Sequence, residues 1–269
     1  MSSPIGLALA LILILVGMIL KGGTIAGIIS PAAFLMVVGG THGVMVASTG
    51  LKSIPQMIRL FVGPGIKDPP EERPETINHL IGFAEKARRE GLLALENHAR
   101  EIENPFLKKG VRLVVDGTDP ELVKDILETE IDEIETRHDR NQEIFRNGGA
   151  FAPTIGILAT VLSLVGVLQH LDRPATLGPE ISAAFLATFY GVFMANCFLY
   201  PVANHLRRRT EAEVANMVLV VEGVLSIQSG DNPRVLAQKL WSFVPPAMRP
   251  SDEAAGSIPS PDAVRAEAA

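Results

Sequence analysis

The chain has 269 residues, 47% of them hydrophobic and 20% charged, with a net charge of −6. The charges are segregated: residues 1–51 hold one, Lys21, and residues 148–206 hold three, Asp172, Arg173 and Glu180, whereas residues 52–147 hold 35 of the 54. Two charge-poor stretches around a charge-rich one exclude a single soluble core and point to a membrane protein with a water-exposed insert.

A hydrocarbon layer about 30 Å thick takes roughly 20 apolar residues as helix. Four stretches are candidates for spans: residues 5–20, 27–51, 150–171 and 182–206. Met1-Ser2-Ser3 supplies no basic segment ahead of the first stretch, and no small-residue cleavage pattern follows Leu20, so an uncleaved helix is expected. Span two carries one polar oddity, His42 in Gly40-Thr41-His42-Gly43, which fits a helix contact better than a proton relay.

Basic residues next to a span stay on the cytoplasmic side. Lys52, Arg59 and Lys67 follow span two, Arg140 and Arg146 precede span three, and Arg207-Arg208-Arg209 closes span four. Both termini and the insert are therefore expected in the cytoplasm. The two outer turns, near Lys21 and Asp172-Arg173, are too short to bind much.

The insert is helical in pattern. From Pro74, Ile77, Leu80, Ile81, Ala84, Ala87, Leu92 and Leu95 recur at steps of three and four, a stripe that wants a helical neighbour. Asn104-Pro105 ends that helix, because a residue before proline is pushed out of the helical region. Arg88 and Glu96 then fall near one polar face, eight residues apart, where opposite charges suit a steered protein contact or merely a solvated surface. A second helix opens at Asp119 as N-cap with Pro120 first, and its apolar positions Leu122, Ile126, Leu127, Ile131 and Ile134 run on towards Phe145 and span three.

Spans three and four contain no carboxylate at their centres, so any titrating or ion-binding carboxylate has to come from another chain. Their polar points are Thr160, Ser163, Ser182, Thr188, Tyr190 and Asn196. Small residues Gly156, Ala159, Ser163 and Gly166, and Ala183, Ala184, Ala187 and Gly191, offer close-packing faces. Pro153 and Pro201 lie near the cytoplasmic ends of their spans and either bend them or mark their limits. The single Cys197 rules out an intrachain disulfide and a thiolate metal cluster.

After span four, Val214, Met217, Val221, Val224 and Leu225 repeat the amphipathic spacing, a turn follows at residues 229–233, and one more short helix ends at Pro245-Pro246. Residues 247–269 are small, polar and Pro-rich and are expected to be disordered. The expected fold is all-α: transmembrane helices one and two in residues 1–51, a cytoplasmic helical domain in 52–147, transmembrane helices three and four in 148–206, C-terminal cytoplasmic helices in 207–246, and a tail in 247–269.

Several blocks resemble the flagellar motor stator protein A family (MotA/PomA-like). They are Ala87-Arg88-Arg89-Glu90-Gly91-Leu92-Leu93-Ala94-Leu95-Glu96 with Asn104-Pro105-Phe106; Ala152-Pro153-Thr154-Ile155-Gly156; Leu177-Gly178-Pro179; Ala187-Thr188-Phe189-Tyr190-Gly191 with Ala195-Asn196 and Pro201; and the run from Glu222 to Pro233. The resemblance implies a non-enzymatic homo-pentamer in the bacterial inner membrane. It would enclose two copies of a single-span B subunit (MotB/PomB-like) that carries a membrane aspartate and a peptidoglycan-binding domain. Flow of protons or sodium, with no cofactor, would turn the ring against the rotor's switch-complex protein (FliG-like). It further implies rotor contact at Arg88 and Glu96, coupling at Pro153 and Pro201, and an ion pathway past Thr160, Thr188 and Tyr190. Ala159 and His42 depart from the family pattern and leave the ion open. Two rivals remain: an energiser of outer-membrane uptake of the ExbB/TolQ type, and a membrane scaffold whose insert recruits cytoplasmic proteins. Nucleic acid is not an expected partner, given the acidic mixed-sign balance.

Overall fold

The computed structural model describes residues 2–51, 53–65 and 71–250. Lys52, Lys67 and residues 251–269 of the expected tail lie outside the described residues. Every regular element among the described residues is helical: α1 (Ser2–Leu20), α2 (Pro31–Phe34), α3 (Gly40–Thr49), α4 (Ser53–Val62), α5 (Arg73–Glu90), α6 (Leu95–Glu101), α7 (Pro105–Val115), α8 (Pro120–Gln169), α9 (Pro174–Met194), α10 (Tyr200–Ser229) and α11 (Pro233–Trp241). A π-turn, Leu35–Gly39, joins α2 to α3, and another, Ala195–Leu199, joins α9 to α10. Three helical stretches are long and apolar enough to cross a membrane: Ile25–Thr49, Pro120–Gln169 and Pro174–Ser229. The apolar part of α1, Ala8–Leu20, is shorter.

Proline and a preceding cap set most helix starts. Asn104 accepts hydrogen bonds from the Phe106 and Leu107 amides (3.0 and 3.1 Å), Asp119 from Glu121 (2.9 Å) and Asn232 from Arg234 (3.0 Å), each just ahead of a proline. The cap satisfies an amide that has no partner within the helix, and the proline gives up an N–H that would be orphaned there anyway.

Contacts divide the chain into two units, residues 1–69 with 137–210 and residues 70–136 with 211–269, and both α8 and α10 contribute residues to each. The second unit is a helical bundle. Ile77, Leu80, Ile81, Ala84 and Leu95 of the expected stripe are buried in its core with Leu127, Ile131, Met217, Val221 and Val224. Leu122, expected inside, is exposed, and its neighbour Val123 is buried instead. At the first residue of α5, Arg73 donates to both oxygens of Glu71 and to the Phe243 carbonyl. The hydrogen bonds and positive charge of Arg73 hold the Glu71 carboxyl below its ordinary range.

Three details differ from the sequence expectation. The single helix expected from Pro74 to Asn104 is broken at Gly91, whose φ of +84° ends α5, and a 3-10 turn, Leu92–Ala94, leads into α6. Only glycine adopts that conformation without strain. The last helix stops at Trp241 rather than at Pro245, because the Phe243 and Val244 amides turn back to carbonyls three residues earlier and the Ser242 hydroxyl bonds the Lys239 carbonyl. The start of the expected tail is ordered: Pro246–Met248 form a 3-10 turn, and Arg249 donates to the Val244 carbonyl at 2.8 Å.

In the first unit, two small cores hold the apolar helices together. One gathers Phe145, Ala152, Ala195, Leu199, Val202, Ala203 and Leu206, and the other Ala33, Val37, Ala159 and Ala187. Outside them, Ile157, Leu158, Val161, Leu162, Val165 and Leu168 of α8 stay exposed. So large an apolar surface requires a lipid or protein environment.

Candidate functional site

The approach of α8 to α9 is set by glycine and alanine. A Cβ on Gly191 would run into the Ala152 carbonyl oxygen and stand 3.1 Å from Gly156 Cα, and one on Gly156 would stand 3.0 Å from the Ala187 carbonyl oxygen. With Ala159, Ala184 and Ala187 buried alongside, the two backbones are in direct contact. Gly166 has nothing near it, so its small size serves no contact within the chain.

That contact brings Thr160 and Thr188 together. Their hydroxyl oxygens are 2.6 Å apart, and Thr160 Oγ1 also lies 2.8 Å from the Ala184 carbonyl and 2.9 Å from the Gly156 carbonyl of its own helix. A hydroxyl has one proton to give, so two hydroxyls and two carbonyls converge with more acceptors than donors. A group of this kind suits a cation or a water chain. Ser163 donates only to the Ala159 carbonyl of its own helix.

Tyr190 does not point its hydroxyl at the threonine pair. It donates to the Ile28 carbonyl and accepts from the Ser30 amide at 3.0 Å. His42 Nδ1 lies 2.7 Å from the Val38 carbonyl and therefore carries the proton of that bond.

Pro153 sits inside α8, and its missing amide leaves the Gly149 carbonyl without a helical donor. The Tyr200 ring fills the place where a Gly149 side chain would stand. Pro201 follows the second π-turn, in which the Tyr200 amide bonds the Ala195 carbonyl five residues back. The wider turn accommodates the proline ring. Ala152 and Val202, next to the two prolines, belong to one core cluster; Pro153 lies inside α8, whereas Pro201 stands in the first turn of α10.

In the second unit, the break at Gly91 places Arg88 in the last turn of α5 and Glu96 in the first turn of α6, so they do not share one helix face as expected. Both are exposed; Glu96 lies 3.5 Å from Arg100, while Arg88 makes no ion pair among the described residues.

Sequence reasoning missed a buried polar group where α8 meets α10. Gln142 donates to Thr210 at 3.2 Å, and Thr210 Oγ1 lies 3.4 Å from His138 and 3.1 Å from the Leu206 carbonyl. Polar residues at 138 and 142 inside an otherwise apolar register were the available signal. Among the described residues no group of three or more His, Cys, Asp or Glu gathers to hold a metal ion.

Comparison with known proteins places the chain. Residues 98–218 match the MotA/TolQ/ExbB proton channel family, and residues 4–91 match the motility protein A N-terminal family. Motility protein A of Bacillus subtilis is 38% identical over 251 residues, 91% of this chain and 90% of that protein. The solved flagellar MotAB stator complex from Bacillus subtilis superposes with a TM-score of 0.84 at 38% identity, covering 91% of this chain and 96% of that one. The solved MotAB of C. jejuni does so with a TM-score of 0.82 at 32% identity and the same coverage. The chain belongs to the motility protein A family.

Proposed function

We propose that this chain is the ring subunit of a flagellar motor stator, a non-enzymatic membrane protein that converts ion flow into torque. The observation that carries the reading is the match of 91% of the chain to a solved stator fold. The spans agree with it: residues 27–51, 150–171 and 182–206 contain no Asp, Glu, Lys or Arg, yet α8 and α9 hold the Thr160–Thr188 group. The match of residues 4–91 to the motility-specific N-terminal family favours a motor over an uptake energiser.

In this reading α1 is the first of four spans; its 19 residues reach roughly 28 Å, close to the hydrocarbon thickness. Residues 1–51 and 148–206 lie in the inner membrane, and residues 52–147 and 207–246 form the cytoplasmic part, with both termini inside. Five copies surround two copies of a one-span partner whose membrane aspartate takes up a proton or sodium ion, the transported ion being the only small molecule required. The ion passes Thr160 and Thr188, Pro153 and Pro201 convert its passage into helix movement, and Arg88 and Glu96 meet the rotor's switch-complex protein. Each of these roles rests on the family resemblance together with the geometry above.

The test is complementation. In cells lacking their own stator subunits, this chain and its one-span partner restore swimming, and Asp→Asn in the partner's membrane helix abolishes it. Failure to rotate with both proteins present in the membrane overturns the proposal.

A further inference from the structure

The second span is not a continuous helix at its outer end. A 3-10 turn, Ile25–Ile28, is followed by extended Ile29 and Ser30 before α2 begins. Pro31 at the first position of α2 dictates this, since the residue before proline is driven to extended backbone, and the Ser30 hydroxyl caps the new helix at the Ala33 amide, 3.4 Å away. The Ile28 carbonyl and the Ser30 amide are thereby left outside the helical ladder. At membrane depth, irregular backbone persists only where protein satisfies it.

One side chain does so for both groups. The Tyr190 hydroxyl donates to the Ile28 carbonyl and accepts from the Ser30 amide at 3.0 Å, a pairing that spans 160 residues of sequence. The ring is held in turn by Phe34, edge-on at a centroid distance of 6.1 Å and an angle of 85°. Two and three residues earlier on α9 are Thr188, bonded to Thr160, and Ala187, fully buried against Ala33, Val37 and Ala159. The same turn of α9 therefore holds the threonine pair and the break in the second span.

Resting on the stator reading above, we infer that Tyr190 is a positioning residue rather than an ion ligand: a latch that seats the start of α2 against α9 and so fixes the helix that carries Thr188. Its proton is committed to the Ile28 carbonyl and its lone pair to the Ser30 amide, so it has little to offer a passing ion. Without the hydroxyl, two backbone groups lose their partner, α2 loses its registration on Ala187, and the threonine pair is no longer held at one spacing. Ions still bind, but each binding event moves a looser helix.

The experiment uses the full chain with its one-span partner in motile cells. Tyr190→Phe is compared with the unaltered chain for membrane abundance, for speed of single stator units on a tethered bead, and for the dependence of that speed on ion concentration. The latch predicts unchanged abundance, an unchanged half-saturating ion concentration, and a speed at saturating ion lower by about fivefold or more, since Tyr190→Phe removes both hydrogen bonds of the hydroxyl. It also predicts that Tyr190→Phe has less effect on a Pro31→Ala background, where residues 28–30 can join the helix and satisfy their own backbone. A raised half-saturating concentration makes Tyr190 an ion ligand and overturns the inference. So does a loss of abundance alone, or an equal effect in both backgrounds. Absence of rotation by the unaltered chain counts against the stator reading instead.

Discussion

Gly191 is where a single methyl group has the most direct consequence. Its Cα faces the Ala152 carbonyl and Gly156 across the α8–α9 contact, and both neighbours are backbone, which cannot swing aside as a flexible side chain can. Gly191→Ala has to push the helices apart, at a cost of about 1–3 kcal/mol by analogy with overpacked cores. The same displacement lengthens the 2.6 Å link between Thr160 and Thr188 and the bond from Thr160 to the Ala184 carbonyl. The expected outcome is a lower melting temperature of the purified complex together with lost swimming. Gly166→Ala, where nothing stands near, serves as the control and should leave the melting temperature unchanged. Equal melting temperatures for Gly191→Ala and the unaltered chain would mean that the contact is slack. The small-residue faces were legible in the sequence because they recur at helical spacing in each span, whereas Thr160 and Thr188 were singled out as a pair only by the family resemblance. The partner of Tyr190 was not legible, since nothing in the local pattern links position 190 to positions 28 and 30.

At the scale of elements, the prolines and the glycines act in opposite ways. Pro153 removes one hydrogen bond from the middle of α8, and Pro201 sits at the start of α10 just after a π-turn, so each leaves a helix that bends more easily than its neighbours. Replacing both by Ala closes the α8 ladder at Gly149 and lets the π-turn revert to α, stiffening the two helices without opening a cavity. Assembly with the partner is expected to persist in pull-down from membranes while swimming is lost; normal swimming by the double variant removes the hinge role. The helix starts were readable because cap and proline stand together at Asn104-Pro105, Asp119-Pro120 and Asn232-Pro233. The break at Gly91 was hidden by its surroundings: Ala87, Leu92 and Leu95 keep helical spacing across it, and the 3-10 turn after the glycine brings Leu95 back into the core. What the break changes is the surface. Arg88 at the end of α5 and Glu96 at the start of α6 are presented on two helices separated by Gly91 and a 3-10 turn, which is a different surface from one straight helix.

For the whole molecule, the decisive quantity is the distribution of charge. Four of 54 charged residues fall within the 110 residues of 1–51 and 148–206, and none of the four lies inside residues 27–51, 150–171 or 182–206. Moving an ion across a hydrocarbon layer without a compensating group is prohibitive, and a hydroxyl or carbonyl offers only a partial dipole. Thr160 and Thr188 can help to coordinate a cation but cannot neutralise it. The chain is therefore expected to be a wall of the pathway and not the pathway itself. Reconstituted alone in proteoliposomes with an imposed pH or sodium gradient, it should show only the leak of empty vesicles. Co-reconstituted with the one-span partner proposed above, it should conduct, and the flux should vanish with Asp→Asn at the membrane carboxylate proposed for that partner while the complex stays assembled. Thr160→Val in this chain should lower that flux without abolishing it, because it removes a ligand and leaves the charge in place. Conduction by the chain alone, at a rate like that of the complex, would show that a neutral lining suffices and that the missing carboxylate is not the reason for a second subunit.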